Sequence, residues 1–223
     1  MTPDPEQVSS PADALELTFD DIYRRGLWGS HASSPYYSGV GSHKPNIVGP
    51  YVDAVRSFFS TTMRDADAVD LGCGDFNVGS QLRDLFRRMT ACDIVGGLLE
   101  HNRSRFTEPG LEFVKLDIVR DKLPEGRVAF LRQVLQHLSN ESIGRVIEKL
   151  RAYQYLVITE HVPFDLYFEP NMDKRDGVDI RPDHGSGVVL TAAPFLLNVR
   201  SEQRLCEIAD GIGLITTMAY RLW

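Results

Sequence analysis

No run of about 18 apolar residues occurs in the chain, and nothing in it reads as a membrane-spanning helix. No charged start leads into an apolar stretch, so no secretory leader is legible. Cysteine is scarce: Cys73, Cys92 and Cys206 are the three present, with no C-x-x-C pair. That excludes a disulfide framework and a thiolate metal site, and the expectation is reduced thiols in a cytoplasm. The histidines, His31, His43, His101, His137, His161 and His184, show neither ligand spacing nor a carboxylate-rich motif beside them, so no metal is expected. Positive charge is outweighed, with 24 Lys and Arg against 31 Asp and Glu, a net charge of −7. Such a balance argues against a broad grip on phosphate backbones, hence against nucleic acid as a partner, and favours a small molecule.

What is present suits one α/β domain. With 223 residues, 43% of them hydrophobic, the chain can fill one core and would be cramped as two. Residues 1–16, rich in Pro, Asp, Ser and Gln at their start, read as a flexible tail, and 17–223 as a single domain. The centre of the domain is Val69 to Phe76, Val-Asp-Leu-Gly-Cys-Gly-Asp-Phe. An apolar run ending at Leu71 reads as a buried strand, and the glycines after it allow a backbone turn that a ligand can approach closely. Val78, Leu82, Leu85, Phe86 and Met89 then fall on the stripe of a core-facing helix. Strand, glycine turn and helix make the nucleotide-binding corner of a doubly wound sheet. The G-x-G-x-x-G fingerprint fails, because Asn77 holds the third glycine's place, and no Gly-Lys-Ser or Gly-Lys-Thr follows as in a P-loop. Asp70 and Asp75 instead make the turn acidic, which suits a cationic ligand and repels a pyrophosphate.

Ahead of this corner, Thr18 reads as the cap of a short helix stopping at Gly26, and Pro50 as the start of another. Between them, Trp28, Tyr36 and Tyr37 interleave with glycines and serines through Ser42, either a surface loop or a cover over the ligand. Behind the corner, Met89 to Cys92 reads as the second strand, with Asp93 at its end about 20 residues past the glycines, where a carboxylate accepts from a ribose diol. Leu111 to Leu116, Val128 to Leu131 and Tyr155 to Thr159 read as the next strands, and Ser139 or Asn140 caps the helix after the fourth. Residues 162–198 show little periodicity and read as a substrate-facing lid. Leu214 to Trp223 closes the sheet as part of a hairpin, with Ser201 to Ala209 either its other strand or a short helix.

Asp70-Leu71-Gly72-Cys73-Gly74 resembles the first motif of class I S-adenosylmethionine-dependent methyltransferases. In finer detail the chain resembles a bacterial subfamily marked by Trp28-Gly29, Ser38 to Ser42, Cys73 to Asn77, Asp93 to Val95 and Arg132 to Leu138. It departs from that pattern at Val78, where Trp is usual, and at Gln133, where Asp is usual. The resemblance implies a Rossmann-like, doubly wound, seven-stranded sheet, mostly parallel with an antiparallel C-terminal hairpin. It implies S-adenosyl-L-methionine as cofactor, held by Asp70, Gly72, Cys73, Gly74, Asp93, Ile94, Asp117, Ile118 and Arg132, with Asp117 on the adenine amino group. It further implies methyl transfer to a small-molecule acceptor, in the first place a hydroxyl of a sugar or natural product.

A hydroxyl acceptor needs a base. His137, His161 and Glu160 stand near the ends of the fourth and fifth strands, and imidazole is the better base near neutral pH. His137 ranks first here, although the catalytic His of plant-type small-molecule O-methyltransferases corresponds to Gln136. Two other functions stay open: a non-catalytic member that binds the cofactor or a partner, and an NAD(P)-dependent oxidoreductase, which Asp70 and the missing third glycine disfavour.

Overall fold

A computed structural model describes residues 11–30, 34–59, 63–165 and 167–223. The expected tail lies outside them as far as residue 10, whereas residues 11–16 belong to helix α1 (Pro11–Arg25). Leu15, Phe19, Ile22 and Tyr23 form its inward stripe, so the helix starts well before Thr18. Thr18 is interior to the helix, and its hydroxyl donates back to the Ala14 carbonyl at 2.8 Å. Helix α2 (Pro45–Phe59) likewise begins earlier than Pro50. Pro45 takes the first helical position, where its missing N–H is no loss.

The sheet comprises β1 (Asp67–Leu71), β2 (Arg88–Asp93), β3 (Leu111–Lys115), β4 (Val128–Arg132), β5 (Tyr155–Val162), β6 (Ser201–Ala209) and β7 (Leu214–Arg221), with α3 (Gly96–Arg105) and α4 (Asn140–Leu150) between strands. Its order is β3-β2-β1-β4-β5-β7-β6. β1 to β5 are parallel, while β7 runs antiparallel to β5 and β6, so Ser201–Ala209 is a strand. Strand order reverses between β1 and β4, which opens a crevice at their carboxyl ends. Alternation along the strands fills both faces. Val69, Leu71, Ala129 and Leu131 meet Ile143, Val146, Ile147 and Leu150 of α4, and Ala68, Ala91 and Phe130 meet Tyr51, Val55 and Phe59 of α2. The Ser139 hydroxyl caps α4, accepting from the Ser142 N–H at 3.2 Å.

The helix expected over Val78 to Met89 is absent. Two short 3-10 turns, Gly79–Gln81 and Arg83–Leu85, take its place, and Met89 already belongs to β2. The apolar stripe is buried as expected, apart from the half-buried Leu85. The backbone is diverted because the Asn77 carbonyl accepts from Ser80 Oγ at 3.1 Å and Gln81 Nε2 at 2.9 Å, while the Gln81 N–H turns to Val78. β5 also runs past Thr159 to Val162, placing Glu160 and His161 inside the strand rather than after it.

The described residues between 162 and 198 pack around Arg181, which is 1% exposed. Its guanidinium donates to the carbonyls of Leu135 (3.1 Å), Leu138 (2.8 Å) and Met172 (3.2 Å) and to Asn140 Oδ1 (2.7 Å). The segment thereby holds the connection between β4 and α4 in place. Among the described residues no helix is long and apolar enough to cross a membrane.

Arg181→Met removes the guanidinium donor from the Leu138 carbonyl and three further acceptors around a fully buried position, and urea denaturation is expected to show a loss of about 2 to 3 kcal/mol. Arg181→Lys should recover only part of it, because one ammonium cannot span all four acceptors.

Candidate functional site

The site begins where β1 ends. Gly72 and Gly74 stand at φ 79° and 54°, in the left-handed region where a side chain strains the backbone. Crowding excludes other residues as well: a Cβ on Gly72 would stand 2.5 Å from Val134 Cγ2, and one on Gly74 would overlap the Ser38 hydroxyl. The Gly72 and Cys73 N–H groups donate to the Cys92 carbonyl at 2.8 and 2.9 Å. Asp93 completes the turn, with Oδ2 accepting from the Gly74 N–H (3.0 Å) and Oδ1 from the Val95 N–H (3.1 Å). Each oxygen keeps a lone pair for a ligand.

The segment ahead of α2 is pinned onto this turn. Asp75 Oδ2 accepts from the Ser38 N–H at 3.0 Å and lies 2.6 Å from His43 Nε2, while Ser38 Oγ accepts from the Asp75 N–H at 2.8 Å and pairs with the Tyr23 hydroxyl at 2.9 Å. Of the two sequence-based alternatives, surface loop or cover, the described part of the segment is a cover: Trp28 and Ser38 to Ser42 wall a cavity over the glycine turn.

That cavity has a volume of about 480 Å³, within the range of small-molecule sites. Asp70, Gly72, Cys73, Gly74, Asp93, Ile94, Asp117, Ile118 and Arg132 all line it. Its charge is unbalanced: Asp70, Asp75, Asp93, Asp117, Asp183 and Asp210 face Arg132, the only Lys or Arg among the described lining residues. Burial, and then the Asp93 carboxylate, push Asp70 up to about 7, against the opposing pull of Arg132. Burial also raises Asp93, partly offset by its backbone donors. A cation entering here would restore both acids to their charged forms. Asp117 has less to offer, since it already accepts from the Val119 N–H (2.8 Å), the Arg120 N–H (3.2 Å) and the Arg120 guanidinium (2.8 Å).

The three base candidates have different settings. Glu160 is 3% exposed and outside the cavity lining. Its oxygens accept from the Leu135 and Gln136 N–H groups at 2.9 and 3.0 Å, which makes it the cap of the turn Leu135–His137; burial pushes it up to about 8. His137 lines the cavity, its ring 5.2 Å from Trp28 and 6.2 Å from Phe19. Its Nδ1 faces the Gly177 carbonyl at 3.2 Å and its Nε2 faces Gln136 at 3.4 Å. Burial pushes its pKa down to about 4, helped by Lys174. Such an imidazole stays neutral but is a poor proton acceptor. His161 also lines the cavity and is 2% exposed. Its Nε2 lies 2.9 Å from Asp210 Oδ1, although the two are not in line for a hydrogen bond.

Sequence reasoning missed Tyr51, Asp183, Asp210 and Ile212 in this wall. Asp210 and Ile212 come from the β6–β7 turn, whose Asp-Gly-Ile-Gly gives a turn signal but no hint of which way it faces. Among the described residues no group of three His, Cys, Asp or Glu side chains could hold a metal ion.

Comparison with known proteins accords with this geometry. No family model matches the chain. It is 41% identical over 154 residues to a malonyl-[acyl-carrier protein] O-methyltransferase of Acetivibrio thermocellus, a match covering 66% of this chain and 52% of that protein. The chain thus spans about half the length of that curated relative. Among solved structures it is similar to the N-methyltransferase NodS of Bradyrhizobium japonicum in complex with S-adenosyl-L-homocysteine, with a TM-score of 0.66 and 12% identity over 92% of this chain and 98% of that one. A SAM-dependent methyltransferase of Leishmania major gives a TM-score of 0.63 and 13% identity over 95% and 82%. The fold is that of S-adenosylmethionine-dependent methyltransferases.

Removing the Glu160 cap tests its structural role. Glu160→Ala leaves the Leu135 and Gln136 N–H groups buried and unpaired, and chemical denaturation should show a loss of about 2 to 4 kcal/mol.

Proposed function

We propose that the chain is an S-adenosylmethionine-dependent methyltransferase acting on a small-molecule hydroxyl, of the kind found on sugars and natural products. The observation that carries this reading is the acidic cavity at the glycine turn, with Asp70 and Asp93 buried beside backbone that only glycine permits. A sulfonium with its ammonium is a cation without phosphates, and it matches this charge. The ribose diol falls to Asp93, and the adenine to Asp117, Ile94 and Ile118. Bound S-adenosylmethionine supplies a methyl group already activated for transfer, so the chain has mainly to align an acceptor lone pair and exclude water.

Exclusion of water falls to Phe19, Trp28 and the Ser38 to Ser42 segment, which close the cavity above the turn. The acceptor end is the part walled by Trp28, His137, His161, Val178, Ile180 and Ile212. No Lys or Arg lines it among the described residues, which favours a neutral hydroxyl over a carboxylate such as the malonyl group named for the Acetivibrio relative. His161 is the better base here. Asp210 stands beside it to stabilise the imidazolium formed on proton uptake, whereas both His137 nitrogens have partners and its burial opposes charge. His137 serves instead as a neutral wall that clips residue Gly177 to the turn after β4. Glu160 has no part in the chemistry, since its oxygens are committed to the backbone.

The reading has two direct tests. Asp93→Ala should weaken S-adenosylhomocysteine by roughly 10- to 150-fold in calorimetric titration, the range for a hydrogen bond to a charged group; unchanged affinity removes Asp93 from the site. Transfer of labelled methyl from S-adenosylmethionine into sugars, nucleotide sugars and phenols then identifies the acceptor, and His161→Gln should lower kcat about 10²- to 10⁴-fold.

The raised Asp70 sets a pH dependence. A cationic ligand favours the ionised carboxylate, so binding releases a proton, and affinity is highest above about 7 and falls as Asp70 becomes protonated below it. Titration of S-adenosylmethionine should show roughly tenfold weaker binding per pH unit well below that point. Asp70→Asn should bind weakly with a flat profile.

A further inference from the structure

The mouth of the cavity is apolar where surface side chains are ordinarily polar. Ten large hydrophobic side chains are exposed among the described residues, and four of them, Leu27, Val40, Val178 and Ile212, line this one cavity while each stands at least 40% exposed. Scattered singly, such residues need no explanation. Gathered at one opening from separate segments of the chain, they form a rim that an apolar body crossing it would cover.

Inside the rim, the acceptor end offers little to a guest with many hydroxyls. The Gln136 amide is spent on its neighbours, with Nε2 3.4 Å from His137 Nε2 and Oε1 accepting from the His161 N–H at 3.4 Å. Both His137 nitrogens are thus engaged, the other one by the Gly177 carbonyl. Asp183 is exposed, and its Oδ2 turns back to the Ile180 N–H at 3.5 Å. What remains is His161 Nε2, buried with no hydrogen-bond partner, and the Asp210 carboxylate 2.9 Å from it. The same Asp210 oxygen accepts from the Ile212 N–H at 3.3 Å, which fixes a rim residue next to the base. This is a place for one hydroxyl. A sugar would press several more against Val178, Ile180 and Ile212, where each loses its water and gains no partner.

The inner wall is also aromatic. The Trp28 ring packs 5.2 Å from His137 and 6.1 Å from Phe19, and all three line the cavity. Flat faces of this kind suit an aryl ring. A phenolic hydroxyl, with an ordinary pKa of about 10, lies closer to an imidazole at about 6.5 than an alkyl alcohol does, so a single histidine serves as its base.

Resting on the methyltransferase reading above and narrowing its acceptor, we propose that the chain methylates a phenol carrying an apolar substituent. Its hydroxyl sits at His161, its ring against Trp28 and His137, and its substituent leaves across Leu27, Val40, Val178 and Ile212. The phenol proton passes to His161 Nε2 as the phenol oxygen bonds to the methyl carbon. The carbon–sulfur bond breaks with its electron pair on sulfur, giving the aryl methyl ether, S-adenosylhomocysteine and an imidazolium beside Asp210.

The test compares phenol, 4-ethylphenol, 4-butylphenol and methyl glucoside on the full chain. Each is titrated calorimetrically with S-adenosylhomocysteine saturating, and each is offered labelled methyl from S-adenosylmethionine. Affinity and kcat/KM should rise roughly threefold per methylene along the phenol series, and methyl glucoside should neither bind nor react. Val178→Ser and Ile212→Ser change exposed positions that the fold tolerates. Each should weaken 4-butylphenol about tenfold and phenol less than threefold. A preference for methyl glucoside, an affinity independent of chain length, or the same rise in both variants overturns the assignment. Binding of S-adenosylhomocysteine with no phenol taken up or methylated overturns it too and leaves the methyltransferase reading standing. Failure to bind S-adenosylhomocysteine overturns that reading, and the assignment with it.

Discussion

The structure depends on how closely backbone and side chain can approach at Gly72-Cys73-Gly74. The turn is fixed from below by the Cys92 carbonyl and the Asp93 carboxylate, which between them accept three successive N–H groups. From above, Ser38 and Asp75 exchange hydrogen bonds that draw the segment ahead of α2 down onto it. A side chain at position 74 would displace Ser38 and break the upper contacts, and one at position 72 would collide with Val134. The cavity exists because these layers meet at the glycines and part again beyond them.

Burying several carboxylates around one cavity is unfavourable while the cavity holds only solvent, and the raised Asp70 and Asp93 record that cost. Their charge is opposed by one guanidinium whose own protein partners are neutral. A zwitterionic or cationic guest relieves both conditions together. The neighbouring charges that are already satisfied lie outside this arrangement. Glu160 and Arg181, both deeply buried, spend their hydrogen bonds on the chain around Leu135 and hold the connection after β4 that carries Gln136 and His137. Recognition and scaffold are thus separated by which side chains are saturated.

Much of this was legible in the sequence. Strand positions followed from short apolar runs, and the doubly wound topology from a glycine turn after the first of them. Asp93 could be placed because strand end and spacing agree. What could not be read depended on side chains competing with backbone or on contacts distant in sequence. The stripe at Val78 to Met89 has helical spacing and is largely buried, yet Ser80 and Gln81 take the Asn77 carbonyl and turn the chain into 3-10 geometry. The setting of His137 was illegible for a similar reason, since its surroundings come from Phe19, Trp28, Gly177 and Lys174, all remote along the chain. Asp210 had no sequence signal as a neighbour of His161, because the pairing of β7 with β5 brings the β6–β7 turn beside that strand.

The central claim is that the acidic cavity over the glycine turn is a cofactor site, and a crystal structure of the chain with S-adenosylhomocysteine tests it most directly. The account predicts ligand density in that cavity, with the ribose hydroxyls on the Asp93 carboxylate and the adenine between Ile94 and Ile118. Density at another place, or an empty cavity in crystals grown with saturating ligand, would contradict it.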